Sequence, residues 1–233
     1  MNRIFRIKCR IADEGLFKTI VYFFCALHYI LREFLYTIYL DLRYSGRLLT
    51  GNKSSDFGHM GAHDIYHTVY TVMYLIFKLI EIKRTDVLVD VGCGKGRVIN
   101  FWLSKKMNNK IIGLELDPKI AGETASHFSK YKNVSIITGD AITNIPPDAT
   151  VFYFYNPFSA ERVKRFEQIL YELFKNKPIT VIYYNPKSLH VFENGNWTIE
   201  NIDFEKDMGK KRWGRVNHFH ELSIIKNKAA DAR

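Results

Sequence analysis

The sequence predicts an α/β fold, a doubly wound and mostly parallel sheet of seven strands with an amino-terminal helical extension. Short β-branched and aromatic runs alternate with amphipathic segments between residues 86 and 187. The first run ends in a glycine-rich turn, and two strand-like runs with no helix between them follow Pro186. Strands that alternate with helices imply right-handed parallel crossovers, and the closing pair predicts an antiparallel edge.

Composition limits the classes of protein to consider. The chain has 233 residues, of which 47% are hydrophobic and 15% aromatic, enough for one globular domain with an extension. A formal charge of +10 favours an acidic partner: nucleic acid, an anionic membrane surface or a negatively charged substrate. The three cysteines show no paired spacing, so we expect a reducing, cytoplasmic location, and no zinc or other metal site is predicted.

Residues 1–55 form the predicted extension, and residues 56–233 the main domain. Basic residues alternate with apolar ones at the start, and Leu16 to Leu40 is strongly hydrophobic but interrupted by charges. It is too interrupted for a spanning helix and lacks the features of a secretory signal. The pattern predicts an amphipathic helix that packs on its own domain, with peripheral membrane contact through residues 1–40 as the alternative. The Gly- and Ser-rich stretch 45–63 predicts a linker.

The elements of the main domain follow in order. A helix with one apolar face leads into the core, and its apolar residues are Val69, Met73, Ile76, Phe77 and Ile80. The predicted strands are DVLVDV, KIIGLEL, NVSIITGD, VFYFYNP and ITVIYYNP, followed by NWTIENIDF and NHFHELSIIK. The first crossover helix is predicted from Arg97 to Met107. Such an arrangement places the ligand crevice at the carboxyl ends of the parallel strands.

Two further helices are predicted from their caps. Asp117 can cap a helix that has Pro118 at its first position. Ser159 is the predicted cap of the next helix, whose apolar stripe comprises Val163, Phe166, Ile169, Leu170, Leu173 and Phe174. Each helix therefore has a defined start and a face that can cover the sheet.

The fourth and fifth strands both end in Tyr-Asn-Pro, at residues 155–157 and 184–186. Proline cannot continue a central strand, so both strands stop where the crevice begins. Each Asn-Pro pair is also an ordinary turn former. Asn156 and Asn185 are therefore candidates either for the site or for simple turns.

The glycine-rich turn reads Asp90-Val-Gly92-Cys93-Gly94-Lys-Gly96. Its spacing differs from the dinucleotide fingerprint and from the phosphate-binding loop of nucleotide hydrolases. It resembles the first motif of the class I S-adenosylmethionine-dependent methyltransferases, an acid followed by G-x-G-x-G. The resemblance extends from about residue 86 to residue 187.

The resemblance implies S-adenosyl-L-methionine as the cofactor. Glu115, at the end of the second strand, corresponds to the acid that holds the ribose hydroxyls, and Asp140, after the third, lies beside the adenine amino group in that family. The implied cofactor-binding residues are Asp90, Gly92, Cys93, Gly94, Gly96, Glu115, Leu116, Asp140, Ala141 and Asn156.

The implied catalytic residues are Tyr155, Asn156, Pro157 and Phe158, a partial match to the family's Asn/Asp-Pro-Pro-aromatic motif. In that motif the asparagine accepts from an amino group and the aromatic ring packs over it. The chain is also loosely similar to the non-SET protein-lysine methyltransferases. An aliphatic amine would need deprotonation, for which Tyr66, His67, His218 and His220 are candidates. Tyr183 and Tyr184 would lie either beside the cationic centre or in the core.

The expected function is methyl transfer to a nitrogen of an unidentified acceptor, a protein lysine or a small-molecule amine. The protein's task would be to align the reacting atoms. The alternative is a non-catalytic adaptor with this fold that binds nucleic acid or an anionic membrane through basic segments. Its candidate residues are Lys206, Lys210, Lys211, Arg212, Trp213 and Arg215, which suit phosphate contact and base stacking.

Overall fold

The computed structural model describes residues 15–51, 57–58, 67–204 and 221–228. Seven strands of these ranges form one sheet. Their bounds are β1 Val87–Val91, β2 Lys110–Glu115, β3 Val134–Thr138, β4 Val151–Phe154, β5 Thr180–Tyr184, β6 Trp197–Ile202 and β7 Leu222–Asn227. The predicted seven-stranded sheet is confirmed.

The strand order is β3-β2-β1-β4-β5-β7-β6. β1 to β5 are parallel, with Asp90 beside Gly113 of β2 and beside Tyr153 of β4. β7 lies between β5 and β6 and is antiparallel to both. The predicted antiparallel pair is therefore present, and the carboxyl ends of β1 to β5 all meet at one edge of the sheet.

The helices that flank the sheet are α2 Tyr70–Ile76, α3 Arg97–Ser104, α4 Pro118–Phe128 and α5 Ala160–Phe174. α3 ends at Ser104, before the predicted Met107. Asp117 caps α4, since its carboxylate accepts from the backbone N–H groups of Lys119 and Ile120. Ser159 holds the cap position of α5 without a side-chain hydrogen bond.

The two faces of the sheet carry separate hydrophobic clusters. Successive β4 side chains alternate between them, because side chains in a strand point to opposite faces. Tyr153 packs with Tyr70 and Trp102 on one face, whereas Phe152 and Phe154 pack with the α5 stripe on the other. The prediction is wrong for one member of the stripe, Leu173, whose side chain is 49% exposed at the border of the buried face.

The helix α1 spans Leu16–Leu40, as predicted, and continues into a π-helical turn, Asp41–Ser45. Of its residues, Leu40 alone is buried. Contacts with the domain are concentrated near its carboxyl end, where the Thr71 hydroxyl donates to the Glu33 carboxylate and Tyr36 packs edge-on against Tyr70. The expected packing on the domain is therefore found at this end.

The start of the predicted linker belongs to the folded core. Leu49 is buried, and its backbone N–H donates to the Asp41 carboxylate over 2.9 Å. Lys95 Nζ donates to the carbonyl oxygens of Thr50 and Gly51. Residues 45–51 thus lie against the glycine-rich turn and do not form a free linker. Residues 52–56 lie outside the described ranges, and the domain boundary after residue 55 stays a prediction.

Candidate functional site

A crevice opens at the carboxyl edge of the sheet, where the turns after β1, β2, β3 and β4 meet. Its lining includes residues from all four turns and from the segment before α2. Those relevant to the chemistry are Asp90, Gly92, Cys93, Arg97, Glu115, Leu116, Asp140, Ala141, Tyr155, Pro157 and Phe158, with His67, Thr68, Tyr153 and Arg162. Most of the predicted site residues are thus brought together.

The glycine-rich turn bends sharply after β1. Gly92, Gly94 and Gly96 have φ values of 72°, 51° and 80°, which glycine adopts without steric cost. The N–H groups of Gly92 and Cys93 both donate to the carbonyl oxygen of Leu114. A Cβ atom on Gly92 would lie 2.6 Å from Cβ of Pro157, so the first glycine allows the Tyr-Asn-Pro turn after β4 to approach.

Gly94 and Gly96 shape the turn without lining the crevice among the described residues. The N–H of Gly94 donates to Oε2 of Glu115 over 2.8 Å, and its carbonyl accepts from the Thr124 hydroxyl. A Cβ on Gly96 would lie 2.5 Å from Cε2 of Phe128. The turn is therefore held against α4, which keeps Glu115 in place.

The Glu115 carboxylate is buried, and two backbone N–H groups hold its oxygens in a fixed orientation. Oε1 accepts from the N–H of Asp117 over 3.0 Å, and Oε2 accepts from Gly94. Burial raises the pKa of this carboxyl, while the backbone donors lower it. Each carboxylate oxygen can accept more than one hydrogen bond, so the group can still receive two neighbouring ligand hydroxyls.

Asp90, at the end of β1, is the carboxyl of the crevice whose pKa is most strongly raised. It is 3% exposed. Burial, with the nearby charge of Glu115 as a second cause, raises the pKa of the Asp90 carboxyl to about 8. A buried carboxyl of this kind is suited to a cationic ligand, whose charge would favour the ionised form.

Asp140 and Ala141 follow β3, as predicted, and line the crevice. The Asp140 carboxylate accepts from the N–H of Ile142, and Oδ1 lies 2.6 Å from Nη2 of Arg162. The Arg162 guanidinium also lies over the ring of Phe158, at 5.9 Å from its centroid. Arg162, which the sequence pattern did not single out, therefore joins the turn after β3 to α5.

Tyr155, Pro157 and Phe158 line the crevice, whereas Asn156 is not among its described lining residues. The Asn156 side-chain amide donates to the carbonyl oxygen of Asn185 over 2.6 Å. Its Oδ1 accepts from the Tyr183 hydroxyl over 2.9 Å and from the N–H of Lys187 over 3.3 Å. These contacts tie the two Tyr-Asn-Pro turns together.

The aromatic residues of β5 pack in the core. Tyr183 and Tyr184 are almost fully buried, in the clusters on opposite faces of the sheet. The sequence left two positions open for these tyrosines, beside the cationic centre or in the core, and both lie in the core. Tyr153, which the sequence analysis did not assign to the site, contributes to the crevice lining, and its hydroxyl lies 2.8 Å from that of Thr68.

Arg97 is a second site residue that the sequence analysis missed. Its side chain is 8% exposed and lies 3.5 Å from Asp41, measured from Nη2 to Oδ2. Its Nε and Nη2 atoms have no hydrogen-bond partner among the described residues. A positive charge at the first position of a helix is unfavourable, because the helix dipole is positive at that end. This placement was the sequence feature that could have indicated a functional role for Arg97.

A buried polar cluster connects Arg97 to the end of α1. The Tyr70 hydroxyl donates to Asp41, and Asn100 Nδ2 donates to the Tyr70 hydroxyl and to the carbonyl of Leu40. The Arg97 guanidinium lies over the Tyr70 ring, 5.6 Å from its centroid. The amino-terminal segment therefore helps to position a cationic side chain at the crevice.

Of the four candidate bases, His67 lies at the crevice. Its Nε2 is 3.1 Å from the carbonyl oxygen of Gly51. Burial, together with the charge of Arg97, lowers the pKa of His67 to about 4, so the ring is neutral at pH 7. Tyr66, His218 and His220 lie outside the described residues, as does the basic stretch that contains Lys206, Lys210, Lys211, Arg212, Trp213 and Arg215.

Comparison with known proteins yields one short sequence match and many distant structural ones. No family model matches the chain. A probable ribosomal RNA small subunit methyltransferase A of Methanosarcina barkeri is 37% identical over 62 residues, which are 27% of this chain and 21% of that protein. The chain thus spans about a fifth of the length of this curated relative.

Several solved structures are similar at low identity. An RNA methyltransferase from Salinibacter ruber in complex with S-adenosyl-L-homocysteine is 18% identical, with 69% of this chain and 92% of that chain covered and a TM-score of 0.48. A precorrin-6y C5,15-methyltransferase from Geobacter metallireducens is 17% identical, with coverages of 69% and 87% and a TM-score of 0.48.

The strand order and the glycine-rich turn of this chain identify its fold independently of these distant matches. Five parallel strands are followed by an antiparallel strand inserted between β5 and β6. The acid-G-x-G-x-G motif begins near the end of β1, Glu115 ends β2, and Asp140 follows β3 at the same edge of the sheet. The chain therefore has the fold of the class I S-adenosylmethionine-dependent methyltransferases, with an additional amino-terminal helix.

Proposed function

We propose that the protein is an S-adenosylmethionine-dependent methyltransferase. The observation that carries this proposal is the convergence of Asp90, Glu115 and Asp140 in one crevice beside the glycine-rich turn. A positively charged ligand with ribose hydroxyls matches this set of acceptors. A fold on its own does not define a function, so the proposal depends on the chemistry of these side chains.

The crevice has suitable groups for each part of the cofactor. Glu115 would accept from the ribose hydroxyls, and Asp140 from the adenine amino group, with Leu116 and Ala141 as apolar walls. Asp90 would interact with the cationic aminoacyl end. Gly92 and Cys93 form the turn over which the cofactor would lie, and Gly94 and Gly96 keep that turn in shape.

Arg97 is proposed to bind the carboxylate of the cofactor's aminoacyl end. Arg97 lines the crevice, and its buried Nε and Nη2 donors have no hydrogen-bond partner among the described residues. A buried donor without a partner is costly, and a carboxylate would satisfy the guanidinium in a bidentate way. Thr68 and His67, whose ring is neutral at pH 7, line the same crevice.

When bound, the cofactor supplies an activated methyl group, so the chain needs no nucleophile of its own. Its residues would hold the acceptor in line with that group and exclude water. Such positioning can lower the activation barrier by about 7–11 kcal/mol. Tyr155, Pro157 and Phe158 are proposed to form the acceptor side, because they line the crevice. Asn156 is proposed to position this turn through its bonds to Tyr183 and to residues 185 and 187.

The acceptor atom is proposed to be a nitrogen, on the partial match of the Tyr155 to Phe158 turn to a motif of nitrogen methylation. A protein lysine, a small-molecule amine and a nucleic acid base are the candidate acceptors. Nucleic acid is included because the curated relative is a probable ribosomal RNA methyltransferase and because the chain has a net charge of +10.

The test is transfer of a labelled methyl group from S-adenosylmethionine into a fractionated cell extract. Label in the protein, nucleic acid, lipid or small-molecule fraction would support the enzyme and identify the acceptor class. A Glu115→Gln variant is the matched control for background transfer. If wild type and variant label the extract equally, the activity is not that of this site, and the non-catalytic adaptor becomes the better account.

A further inference from the structure

The helix α1 presents its apolar face to solvent and its more polar face to the rest of the chain. The apolar face comprises Phe17, Ile20, Phe24, Leu27, Leu31 and Phe34, which are between 45% and 79% exposed. The opposite face comprises Thr19, Tyr22, Ala26, Tyr29, Glu33 and Thr37, all of which are partly buried. This orientation is the reverse of that of an ordinary surface helix, whose apolar side faces the core.

The carboxyl end of the helix fixes this orientation. Glu33 accepts a hydrogen bond from the Thr71 hydroxyl, the carbonyl of Leu40 accepts from Asn100 over 3.0 Å, and Asp41 lies in the buried polar cluster with Tyr70 and Arg97. Glu33 lies on the side of the helix opposite to Phe24, since nine residues correspond to a net rotation of about half a turn. Rotation of the helix to bury its apolar face would break these contacts.

The charges of the helix are distributed unequally between its sides. Glu33 is its one acidic residue, and it faces Thr71 with 17% of its side chain exposed. Lys18, His28 and Arg32 are exposed along one border of the apolar face. Arg32 is 65% exposed, although it lies 3.9 Å from Glu33. Lys18 and Arg32 therefore place positive charge along the border of the apolar face. The sequence before the helix, which lies outside the described ranges, adds Arg3, Arg6, Lys8 and Arg10 to the charge of the chain.

The width of the apolar face indicates whether a lipid surface or a second copy of the chain covers it. The six residues of the face follow a heptad pattern, but the positions beside them are the exposed Val21, Phe23, Ile30 and Leu35. A two-helix coiled coil usually has charged residues there, which pair across the seam. Here the apolar surface covers about half of the helix circumference, which fits immersion in a membrane interface better than a narrow seam.

We infer that α1 is an interfacial helix that holds this protein on the surface of an anionic membrane. Within the described ranges, no helix is long and apolar enough to cross a bilayer, so the helix lies in the plane of the interface. Its apolar face enters the boundary between headgroups and acyl chains, and the basic residues contact anionic headgroups, at about 1 kcal/mol each near the surface. The buried Asp41–Arg97 pair joins the carboxyl end of the helix to the crevice.

The test is flotation of the full chain with vesicles of phosphatidylcholine that contain about 30% phosphatidylserine, at low and high salt. We expect the wild type to float with these vesicles, and less so at high salt or with phosphatidylcholine alone. The variant Phe24→Gln, Leu31→Gln should reduce the bound fraction at least about tenfold, because two apolar side chains no longer favour the lipid phase.

The matched control is Cys25→Gln, which alters an exposed, uncharged position of the same helix outside the six-residue face. It should float within about twofold of the wild type. Circular dichroism checks that both variants are folded. Absence of flotation, or equal flotation of the Phe24, Leu31 variant, would overturn the inference. So would a wild-type dimer in solution that binds no vesicles and is lost in that variant, since a second copy would then cover the face.

Discussion

The side-chain amide of Asn156 donates a hydrogen bond to the backbone carbonyl of Asn185 over 2.6 Å. The two asparagines end neighbouring strands with the same Tyr-Asn-Pro sequence, and both adopt a left-handed conformation, with φ values of 45° and 52°. Asparagine tolerates this conformation better than most residues. The repeated motif therefore forms two matching turns, of which the first carries the crevice residues and the second holds the first in position.

Asn156→Ala should destabilise the protein by about 1–3 kcal/mol, because the hydroxyl of Tyr183 and the carbonyl of Asn185 lose a hydrogen-bond partner. Turnover should fall more than cofactor affinity, since the turn that carries Tyr155 and Phe158 loses its support. Chemical denaturation and steady-state kinetics measure the two effects.

Asn185→Ala is the control for this variant. It imposes a similar backbone cost at positive φ but keeps the carbonyl that Asn156 contacts. Equal effects of the two substitutions would show that backbone strain, and not the link between the turns, is responsible.

Gly92→Ala should abolish cofactor binding while the protein remains folded at low temperature. The new Cβ would lie 2.6 Å from Pro157 at a φ of 72°, so the turn after β1 and the turn after β4 would move apart. Gly122→Ala in α4 is the matched control, because no atom outside its chain neighbours and its own helix backbone lies within 4 Å of the added Cβ. That substitution should leave binding intact and raise stability by up to about 1 kcal/mol. Unchanged cofactor affinity in Gly92→Ala would contradict the proposed contact.

The pKa of Asp90 predicts a dependence of stability on pH. The carboxyl titrates at about 8 in the folded protein, against an ordinary value of 3.8. Between these values the folded state binds more protons than the unfolded state, so the free energy of unfolding falls as pH rises towards 8. Asp90→Asn should remove this slope and raise the melting temperature at about pH 8.5.

The same substitution should weaken cofactor binding, because the buried carboxylate is proposed to stabilise the cation. In the wild type, affinity should rise as pH increases towards about 8, where the Asp90 carboxyl loses its proton, and should not rise further above it, where the cofactor's amino group loses its charge. Thermal melts and titration calorimetry across this range check both effects. A variant that is less stable at high pH and binds the cofactor normally would make Asp90 a structural residue.

Arg97→Met tests the proposed carboxylate contact. It should weaken binding of S-adenosylhomocysteine at least about tenfold, because a charged hydrogen bond contributes about 1.5–3 kcal/mol. Binding of methylthioadenosine, which has no carboxylate, should change less than about twofold. If both ligands lose affinity equally, Arg97 acts by supporting the Asp41–Tyr70 cluster instead.

Local patterns predicted the fold and most of the candidate site. β1 and the turn after it are specified within residues 87–96, and Glu115 and Asp140 follow from their places after the next two strands. Asp117 and Pro118 define the start of α4 in the same local way. Such features depend on residues close in sequence, so they could be recognised without the structure.

Contacts between distant segments could not be predicted. Arg97 meets Asp41 across 56 positions of sequence, and no periodicity indicates such a pair. The sequence pattern predicted Asn156 as both a catalytic and a cofactor-binding residue. Its bonds to Tyr183 and Asn185 depend on how two turns meet, so no local pattern could indicate them. Periodicity also finds the apolar face of α1 without indicating which way it points. The polar contacts at its carboxyl end decide that orientation.

Isothermal titration of the full chain with S-adenosylmethionine, beside Glu115→Gln and the control Glu123→Gln, measures whether the crevice binds this cofactor. Glu115 is buried beside the glycine-rich turn, whereas Glu123 is exposed on α4. We predict one cofactor bound per wild-type chain, unchanged affinity for Glu123→Gln, and at least about tenfold weaker binding for Glu115→Gln, from the loss of charged hydrogen bonds. A wild-type chain that binds no cofactor, or a Glu115→Gln variant that binds as tightly as the wild type, would contradict the account.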